Sequence, residues 1–177
     1  MTVAEQAEVE LVNRQGRLHP SQRGKVLDSS FWLAAIVAIA GLVTAVVIPA
    51  TTIDTRFGTA LASSSVTAAL STAIPLLILA AWFAFVCWRR LADLRAGRLV
   101  VMTGWTRDFG RQRPDPDCPI ALSTRLSKGM NEHFYLKAGG KEFQLYSKEL
   151  RARIQAERTN AVYLTPRTKL LINVLPA

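Results

Sequence analysis

The residues that could do chemistry are few and widely spaced in this chain. Cys118 and His133 are a thiol and an imidazole in the polar C-terminal part of the chain, where the imidazole could activate the thiol. Cys118 lies between prolines, however, in a predicted loop that would not hold a nucleophile in place. Asp115 and Asp117 could act as a general acid and base, but they flank Pro116, and this pattern favours solvated turn residues.

Other candidate groups are separated from the partners that they would need. The serines at 63–65 lie between two apolar blocks, where no histidine can complete a Ser-His-Asp arrangement. His19 and His133 have no neighbouring Cys, Asp or Glu at metal-ligand spacing. Gly139-Gly140 lacks the Lys-Ser/Thr that follows a phosphate-binding loop. The sequence therefore predicts no catalytic residue, no cofactor and no metal site, and it favours a protein that is not an enzyme.

Two long apolar blocks determine where the polar parts of the chain lie. Ala68–Trp88 contains no charged residue and is closed by Arg89-Arg90, and Phe31–Ala50 also contains no charge. About 20 apolar residues span a bilayer as one helix, so each block predicts a transmembrane helix. Asp28-Ser29-Ser30 offers N-cap oxygens for the first helix, and Pro49 is expected to end it.

The predicted domain organisation runs from a polar start, through the two blocks, to a basic C-terminal part. Its parts are a flexible cytoplasmic N-terminal segment (1–30), transmembrane helix 1 (31–50), a short external connector (51–67), transmembrane helix 2 (68–88), a basic juxtamembrane helix (89–98) that stops at Gly97, and a cytoplasmic β-rich domain (99–177). Within the first part, Val3, Ala7 and Leu11 share one face of a short surface helix.

Lysine and arginine flank the blocks asymmetrically. Arg56 is the one cation in the connector, whereas eight lie outside the hairpin, namely Arg14, Arg17, Arg23, Lys25, Arg89, Arg90, Arg95 and Arg98. Because positively charged flanks remain in the cytoplasm, this bias predicts a multi-pass protein of the cell (plasma or inner) membrane with both termini cytoplasmic.

The net charge of +9 lies entirely in residues 89–177, which hold 17 Lys or Arg against 8 Asp or Glu. A basic domain tethered beside a membrane has the lipid bilayer and its anionic inner-leaflet lipids as partners, at about 1 kcal/mol for each cation near the surface. This membrane-interface role is predicted for Arg89, Arg90, Arg95 and Arg98. Nucleic acid is another polyanion that a basic domain could bind, but membrane tethering disfavours it.

Small residues line one face of the first apolar block. Ala34, Ala38, Gly41 and Ala45 follow at spacings of four, three and four, which would let another helix approach closely. The second block is the expected packing partner, although a high alanine content produces the same pattern by composition alone. Cys87 also has two interpretations, as a small buried helix residue or as an acylation site at the membrane interface.

From Leu99 onward the pattern changes to short strands. Gly139-Gly140 joins the alternating runs EHFYLKA and KEFQLY, which predicts a hairpin with one buried face. The other predicted elements are strands at LVVMTGWT, Ile120–Leu126, Ala161–Thr165 and Lys169–Val174 and a short helix capped by Ser147. The predicted fold is a membrane α-helical hairpin of two transmembrane helices plus a small cytoplasmic mainly-β domain. That domain is an SH3-like or OB-like, partly open barrel with one short helix.

The short helix carries the cations that are best placed to meet a partner. Lys148, Arg151 and Arg153 lie on it and define a candidate partner surface. A protein partner or a second copy of the chain is expected there, since an exposed helix or strand of a small barrel can offer a binding groove.

The spacing of several residues resembles a pattern in uncharacterised bacterial two-span membrane proteins. The residues are Gly97, Gly104, Phe134-Tyr135, Phe143, Tyr163, Pro166-Arg167 and Leu170-Leu171. In those proteins, two spans precede a small cytoplasmic β-barrel-like domain that ends in a tyrosine, proline-arginine and leucine motif. The resemblance covers residues 91–174 and implies the same layout in a bacterial inner membrane; it implies no activity.

Together these features favour a non-enzymatic integral membrane protein. It would anchor a basic β-rich interaction or scaffold module at the cytoplasmic face, alone or as a subunit of a larger complex. The alternative is an oligomeric channel-like or transporter-accessory subunit built from the helical hairpin, although the spans lack the ionisable residues that transporters use. A membrane-anchored enzyme is the third hypothesis.

Overall fold

The computed structural model describes residues 2–54, 62–127 and 132–177. The chain divides into two compact units, one of Val26–Ala92 and one that combines Met1–Lys25 with Asp93–Ala177. We call them the helical hairpin and the β unit. The described elements are α1 (Val3–Arg14), a 3₁₀ helix (Pro20–Gln22), α2 (Arg23–Val26), α3 (Ser29–Asp54), α4 (Ala62–Ala96), β1 (Val100–Asp108), β2 (Ile120–Leu126), β3 (Glu132–Ala138), β4 (Lys141–Gln144), α5 (Lys148–Arg153), β5 (Arg158–Leu164) and β6 (Leu171–Pro176).

Two long apolar helices and a mixed six-stranded sheet that curls into a half barrel make up the fold. The predicted layout, a helical hairpin with a β domain, is therefore confirmed. The segments Ser29–Val47 and Ala73–Ala96 have mean hydropathies of 2.4 and 1.6 and are long enough to cross a membrane. By length and composition alone, these two helices suggest membrane association.

The first long helix begins as the sequence predicts but ends later. Asp28 accepts a hydrogen bond from the Phe31 N–H at 3.0 Å through Oδ1, which confirms the predicted cap. Pro49 does not end the helix, because α3 continues to Asp54. A proline costs one backbone hydrogen bond, and long apolar helices tolerate this loss.

The connector is shorter than the predicted 51–67, because α3 reaches Asp54 and α4 begins at Ala62. Serine and threonine side chains can bond to the carbonyl four residues back in a helix, so a Ser/Thr-rich stretch does not have to be a loop. Residues 55–61 lie outside the described part of the chain. Pro75 lies inside α4 without ending it.

The basic juxtamembrane segment continues α4 as far as Ala96. Gly97 then adopts a left-handed conformation, with φ of +58°, and its N–H donates to the Asp93 carbonyl at 3.1 Å. Glycine pays no steric cost for this conformation. The predicted stop at Gly97 is therefore confirmed.

The six strands follow the order β4-β3-β2-β1-β5-β6. All neighbours are antiparallel except β1 and β2, which run parallel with Thr106 opposite Ile120. A parallel pair needs a crossover connection, and residues 109–119, with three prolines, supply it. The strand order was not predictable from the sequence, because it depends on this long-range pairing.

The β3–β4 hairpin has the predicted two-glycine turn. Gly139 and Gly140 have φ values of +59° and +74°, which a two-residue turn of this hand requires. The strands alternate as predicted: Leu136 and Ala138 are fully buried, and Lys137 between them is half-buried.

One core fills the concave face of the half barrel. Its buried residues come from four strands and the segment after β4, namely Ile120, Leu136, Ala138, Leu145, Val162, Leu164 and Val174. Leu150 and Ile154 of the α5 region pack against them. The sheet and the short helix thus bury their apolar faces together.

The N-terminal segment contributes helices to the β unit. The sequence predicts a flexible segment over residues 1–30, whereas the structure places α1 and the 3₁₀ helix in the same compact unit as the sheet. Val9 and Asn13 of α1 are buried, with exposed fractions of 2% and 0%. Lys25 Nζ donates to the Ile172 carbonyl of β6 at 2.9 Å. Apolar burial and this tertiary hydrogen bond explain the difference.

Candidate functional site

The predicted small-residue face lies where α3 meets α4 in the helical hairpin. Ala34 and Ala45 are buried, with exposed fractions of 6% and 5%, and Ala38 is half-buried. A Cβ placed on Gly41 would lie 3.2 Å from the Ala80 Cβ. The face therefore contacts the second long helix, and glycine at 41 permits an approach that a larger residue would obstruct.

The opposing helix presents small residues at a spacing of seven. Ala73, Ala80 and Cys87 of α4 are all buried, which is the periodicity of one contact line along a helix. The Cys87 thiol lies 3.8 Å from the Phe31 carbonyl, to which it can donate. The burial of Cys87 favours the packing interpretation over acylation.

Arg90, predicted to meet lipid, has partners at the start of α3. It donates to Asp28 Oδ1, to the Val26 carbonyl at 3.3 Å and to Ser30 Oγ at 2.8 Å, and its side chain is 13% exposed. Burial raises the pKa of Asp28, but the hydrogen bonds from Ser30, Arg90 and Phe31 outweigh it and hold the pKa below its usual value. Arg90 therefore joins the two helices.

The other three predicted interface cations lie in different settings. Arg89 stands over the Phe85 ring, with 5.9 Å between its Cζ and the ring centroid. Arg95 and Arg98 are exposed, and the Arg98 backbone forms a β-bridge with Arg17. Exposure leaves Arg95 and Arg98 able to meet anionic groups.

Asp93, which lies between Arg90 and Arg95 in the sequence, is a buried carboxylate that the sequence did not predict. Asp93 is 1% exposed, and its carboxylate accepts from the Arg167 N–H at 3.0 Å, the Thr168 N–H at 2.9 Å and the Thr168 hydroxyl at 2.6 Å. It thus fixes the turn that joins β5 to β6. No local signal distinguishes Asp93 from a solvated helix residue, because its partners are more than 70 residues away.

The arginines of the candidate partner surface on α5 have different contacts. Ser147 caps the helix as predicted, accepting from the Leu150 N–H at 3.4 Å. Arg151 stacks on Phe134, with 3.2 Å between its Cζ and the ring centroid. Arg153 instead donates to Asn173 Oδ1 at 3.2 Å and lies 3.9 Å from a carboxylate oxygen of Glu10. The Lys148 side chain lies outside the described part of the structure.

Arg151 lines a recess of 210 Å³ on the β unit. Apolar side chains form part of its wall, namely Leu122, Phe134, Leu145 and Ile154, and Asp108 and Thr124 add polar groups. This volume is below that of most small-molecule sites. It suits a single side chain of a partner, with Arg151 able to pair with an adjacent anion.

A larger cleft, of 620 Å³, opens where the β1–β2 loop approaches the β3–β4 turn. Four cations and two carboxylates line it, namely Arg113, Arg125, Lys137, Lys141, Asp115 and Glu142. We call it the basic cleft. It combines residues that the sequence separates by up to 29 positions, so no local motif indicates it.

Contacts within the β unit hold several of these cations in place. Arg125 pairs with Glu142 at 2.6 Å and stacks over Tyr135 at 4.8 Å. Lys137 Nζ donates to the backbone carbonyls of Asp115 and Pro116 at 3.1 and 3.0 Å, which ties the crossover loop to the sheet. The basic cleft thus has a fixed outline.

The residues considered for catalysis have structural partners. Cys118 Sγ lies 3.2 Å from the Ile120 carbonyl, and Asp115 Oδ1 accepts from the Asp117 N–H at 3.0 Å, as in a turn. His133 Nδ1 lies 2.9 Å from Gln144 Nε2. Over residues 2–54, 62–127 and 132–177, no group of three or more His, Cys, Asp or Glu could hold a metal ion.

Comparisons with protein-family models, with curated proteins and with solved structures found no match. The geometry of the chain itself must therefore carry any functional conclusion.

Proposed function

We propose that this chain is an integral membrane protein that anchors a basic interaction module at the cytoplasmic face of the cell membrane. The observation that carries the proposal is the surface of the helical hairpin. Large apolar side chains cover it, each about half exposed or more, as at Trp32, Leu33, Ile36, Ile39, Leu70, Ile78, Trp82 and Trp88. Exposing such a large apolar surface to water is unfavourable, whereas contact with lipid chains is not.

The make-up of the β unit supports a hairpin that crosses the membrane twice. Residues from both ends of the chain belong to this unit. A membrane that separated the two ends would also separate α1 from the sheet, although Arg14 of α1 donates to the Pro176 carbonyl of β6 at 3.5 Å. The excess of Lys and Arg outside the hairpin supports a cytoplasmic location for the β unit.

The interaction role is supported by the charge and the shape of the β unit. Residues 89–177 carry the whole net charge of +9, which suits an anionic inner leaflet. The sheet curls into a half barrel, as in an SH3-like or OB-like interaction module. A partner side chain of suitable size could fill the recess beside Arg151. We propose that the module binds a protein partner or is a subunit of a larger complex.

Membrane extraction tests the anchoring. We expect the chain to stay in the pellet after washing with alkaline carbonate and to be released by a mild nonionic detergent, because apolar spans are not held by electrostatics. Release by carbonate or by high salt alone would contradict the proposal and indicate a peripheral protein.

Purification in the mild detergent tests the partner role. A stable companion should co-purify, and Arg151→Ala should weaken its retention, because Arg151 lines the recess. Arg158→Ala, an equal loss of charge at another exposed position, is the matched control. A single species without any companion, or equal retention by both variants, would contradict a partner site at the recess.

A further inference from the structure

The basic cleft holds an excess of positive charge in a concave surface. Four cationic side chains face two carboxylates around 620 Å³. A concave surface with an excess of one sign of charge raises the local concentration of oppositely charged ligands. An anion is therefore the class of ligand that the cleft attracts.

Arg125 is held on one wall of the basic cleft by two neighbouring side chains. Arg125 is held between the Glu142 carboxylate and the Tyr135 ring, which fixes the plane of its guanidinium. Guanidinium has five N–H donors in a fork that matches phosphate oxygens. The hydrogen bond to Glu142 uses Nη2, and a guanidinium has further N–H donors that an anion can use.

The opposite wall of the basic cleft is also positioned. Arg113 is exposed and directly precedes Pro114-Asp115-Pro116, where the two prolines restrict φ. The bonds from Lys137 to the carbonyls of Asp115 and Pro116 hold this loop against β3. The loop therefore presents Arg113 from a segment whose path is restrained.

Lys141 adds a cation from the β3–β4 turn. Its ammonium donates to the Thr168 carbonyl at 2.9 Å, and an ammonium has three donors. The neighbouring Gly140 is exposed, and no atom lies within 4 Å of a Cβ built on it. Open space beside the turn gives an anion access to the Lys141 side chain.

From these contacts we propose that the basic cleft binds phosphate groups, with Arg113, Arg125 and Lys141 as the principal donors. Two arginines favour phosphate over a simple carboxylate, because the guanidinium fork pairs with two oxygens while a third remains for the lysine. The phosphate can belong to a lipid headgroup or to a soluble phosphate. The lipid source would deepen the proposed function, whereas the soluble source does not depend on it.

The test uses the full chain in nanodiscs of pure phosphatidylcholine, titrated with inorganic pyrophosphate at low salt by calorimetry. Arg113→Gln and Arg125→Gln should each weaken binding about tenfold, the loss expected for one charge-assisted contact. Arg111→Gln is the matched control, because Arg111 lies in the same loop and pairs with Glu132 outside the cleft. It should change binding less than twofold.

A gain-of-function variant makes the test independent of folding defects. Glu142→Gln removes a negative charge from the cleft while keeping a side chain that can still accept from Arg125, so it should tighten pyrophosphate binding about threefold. Binding that falls equally in all three arginine variants, or that is unchanged in Glu142→Gln, would overturn the proposal and show a diffuse charge effect.

Competition separates the two sources of phosphate. Soluble dihexanoyl phosphatidylglycerol should displace pyrophosphate if the cleft accepts a headgroup, and dihexanoyl phosphatidylcholine is the control. Displacement by neither lipid would assign the cleft to soluble phosphates. A chain that does not enter nanodiscs contradicts the proposed anchoring, and the titration in detergent then still tests the cleft.

Discussion

In the helical hairpin the buried side chains are apolar and mostly small, whereas the β unit buries many polar ones. Among the described residues, all the buried polar side chains belong to the β unit, namely Asn13, Gln22, Asp93, Thr106, Ser123, Asn160, Thr165 and Asn173. The buried residues of α3 and α4 within the hairpin are Phe31, Ala34, Ala45, Ala73, Ala80 and Cys87. The exposed surfaces show the reverse, since most large exposed apolar side chains lie on the hairpin.

The proposed membrane anchoring explains this difference, because the two units would then lie in different solvents. In lipid, long helices satisfy their own backbone groups, and close packing of small residues holds them together. In water, a small sheet can direct polar side chains inward to fix its turns. Asn160 shows this, since its Nδ2 donates to Thr106 Oγ1 at 2.8 Å and to the Gln155 carbonyl at 2.7 Å. Substitutions at the two kinds of core should therefore differ in effect.

The largest effect is expected at Asp93. Asp93→Ala should destabilise the β unit by about 3 kcal/mol, because two backbone N–H groups and one hydroxyl lose a buried charged acceptor. Chemical denaturation of the full chain in detergent, followed by Trp105 fluorescence in a variant that lacks the other tryptophans, measures it. Asp117→Ala, at an exposed position in a turn, should cost less than about 0.5 kcal/mol. Equal losses of stability in the two variants would show that the hydrogen bonds accepted by Asp93 do not stabilise the β unit.

The next effect tests whether α1 is part of the β unit. Val9 is 2% exposed, so Val9→Ala should cost about 2 kcal/mol in the same denaturation assay. Leu11 of the same helix is 60% exposed, and Leu11→Ala should cost less than about 0.5 kcal/mol. An unchanged stability in Val9→Ala would place residues 2–25 outside the cooperative unit.

The test in the helical hairpin is a larger side chain at the contact between α3 and α4. Gly41→Leu should destabilise α3–α4 packing by about 2 kcal/mol, because a Cβ there already lies 3.2 Å from the Ala80 Cβ. Energy transfer between dyes on the two helices, measured during unfolding in mixed micelles, reports the loss. Ala40→Leu, one position away and exposed, is the control. A loss in both variants would indicate a general helix effect.

The smallest effect is a pH dependence at the start of α3. The pKa of Asp28 is lower in the folded chain than its usual value of 3.8, so the ionised form adds stability above about pH 4. That contribution disappears as the pH falls through the folded pKa. Asp28→Asn should therefore remove the fall in the free energy of unfolding of the hairpin below pH 4. The change should be less than about 0.5 kcal/mol, because this site is partly exposed. A profile identical to that of the wild-type chain would contradict this role for Asp28.

The sequence predicts the features that depend on neighbouring residues. The Gly139-Gly140 turn, strand Ile120–Leu126 and the stop at Gly97 are found where expected, because each rests on backbone conformation or on alternation over a few residues. The helical hairpin follows from charge-free runs of sufficient length. Its ends were less predictable, since Pro49 does not stop α3.

The features that depend on distant residues could not be predicted in the same way. The exposed position of Leu11 and the buried position of Val9 are set by where α1 docks, not by its own periodicity. Asp93 is buried by a turn that lies more than 70 residues later. The basic cleft likewise exists because a parallel strand pair brings the crossover loop beside the β3–β4 turn.

The most direct test of the central claim is the accessibility of single cysteines in intact cells. In a background with Cys87→Ser and Cys118→Ser, a membrane-impermeant maleimide should label Thr59→Cys in the connector. It should label Ala4→Cys and Gln112→Cys only after the membrane is opened. That result would assign both ends of the chain, and the whole β unit, to the cytoplasmic side. Labelling of Ala4→Cys and Gln112→Cys on opposite sides, or of both in intact cells, would contradict the account.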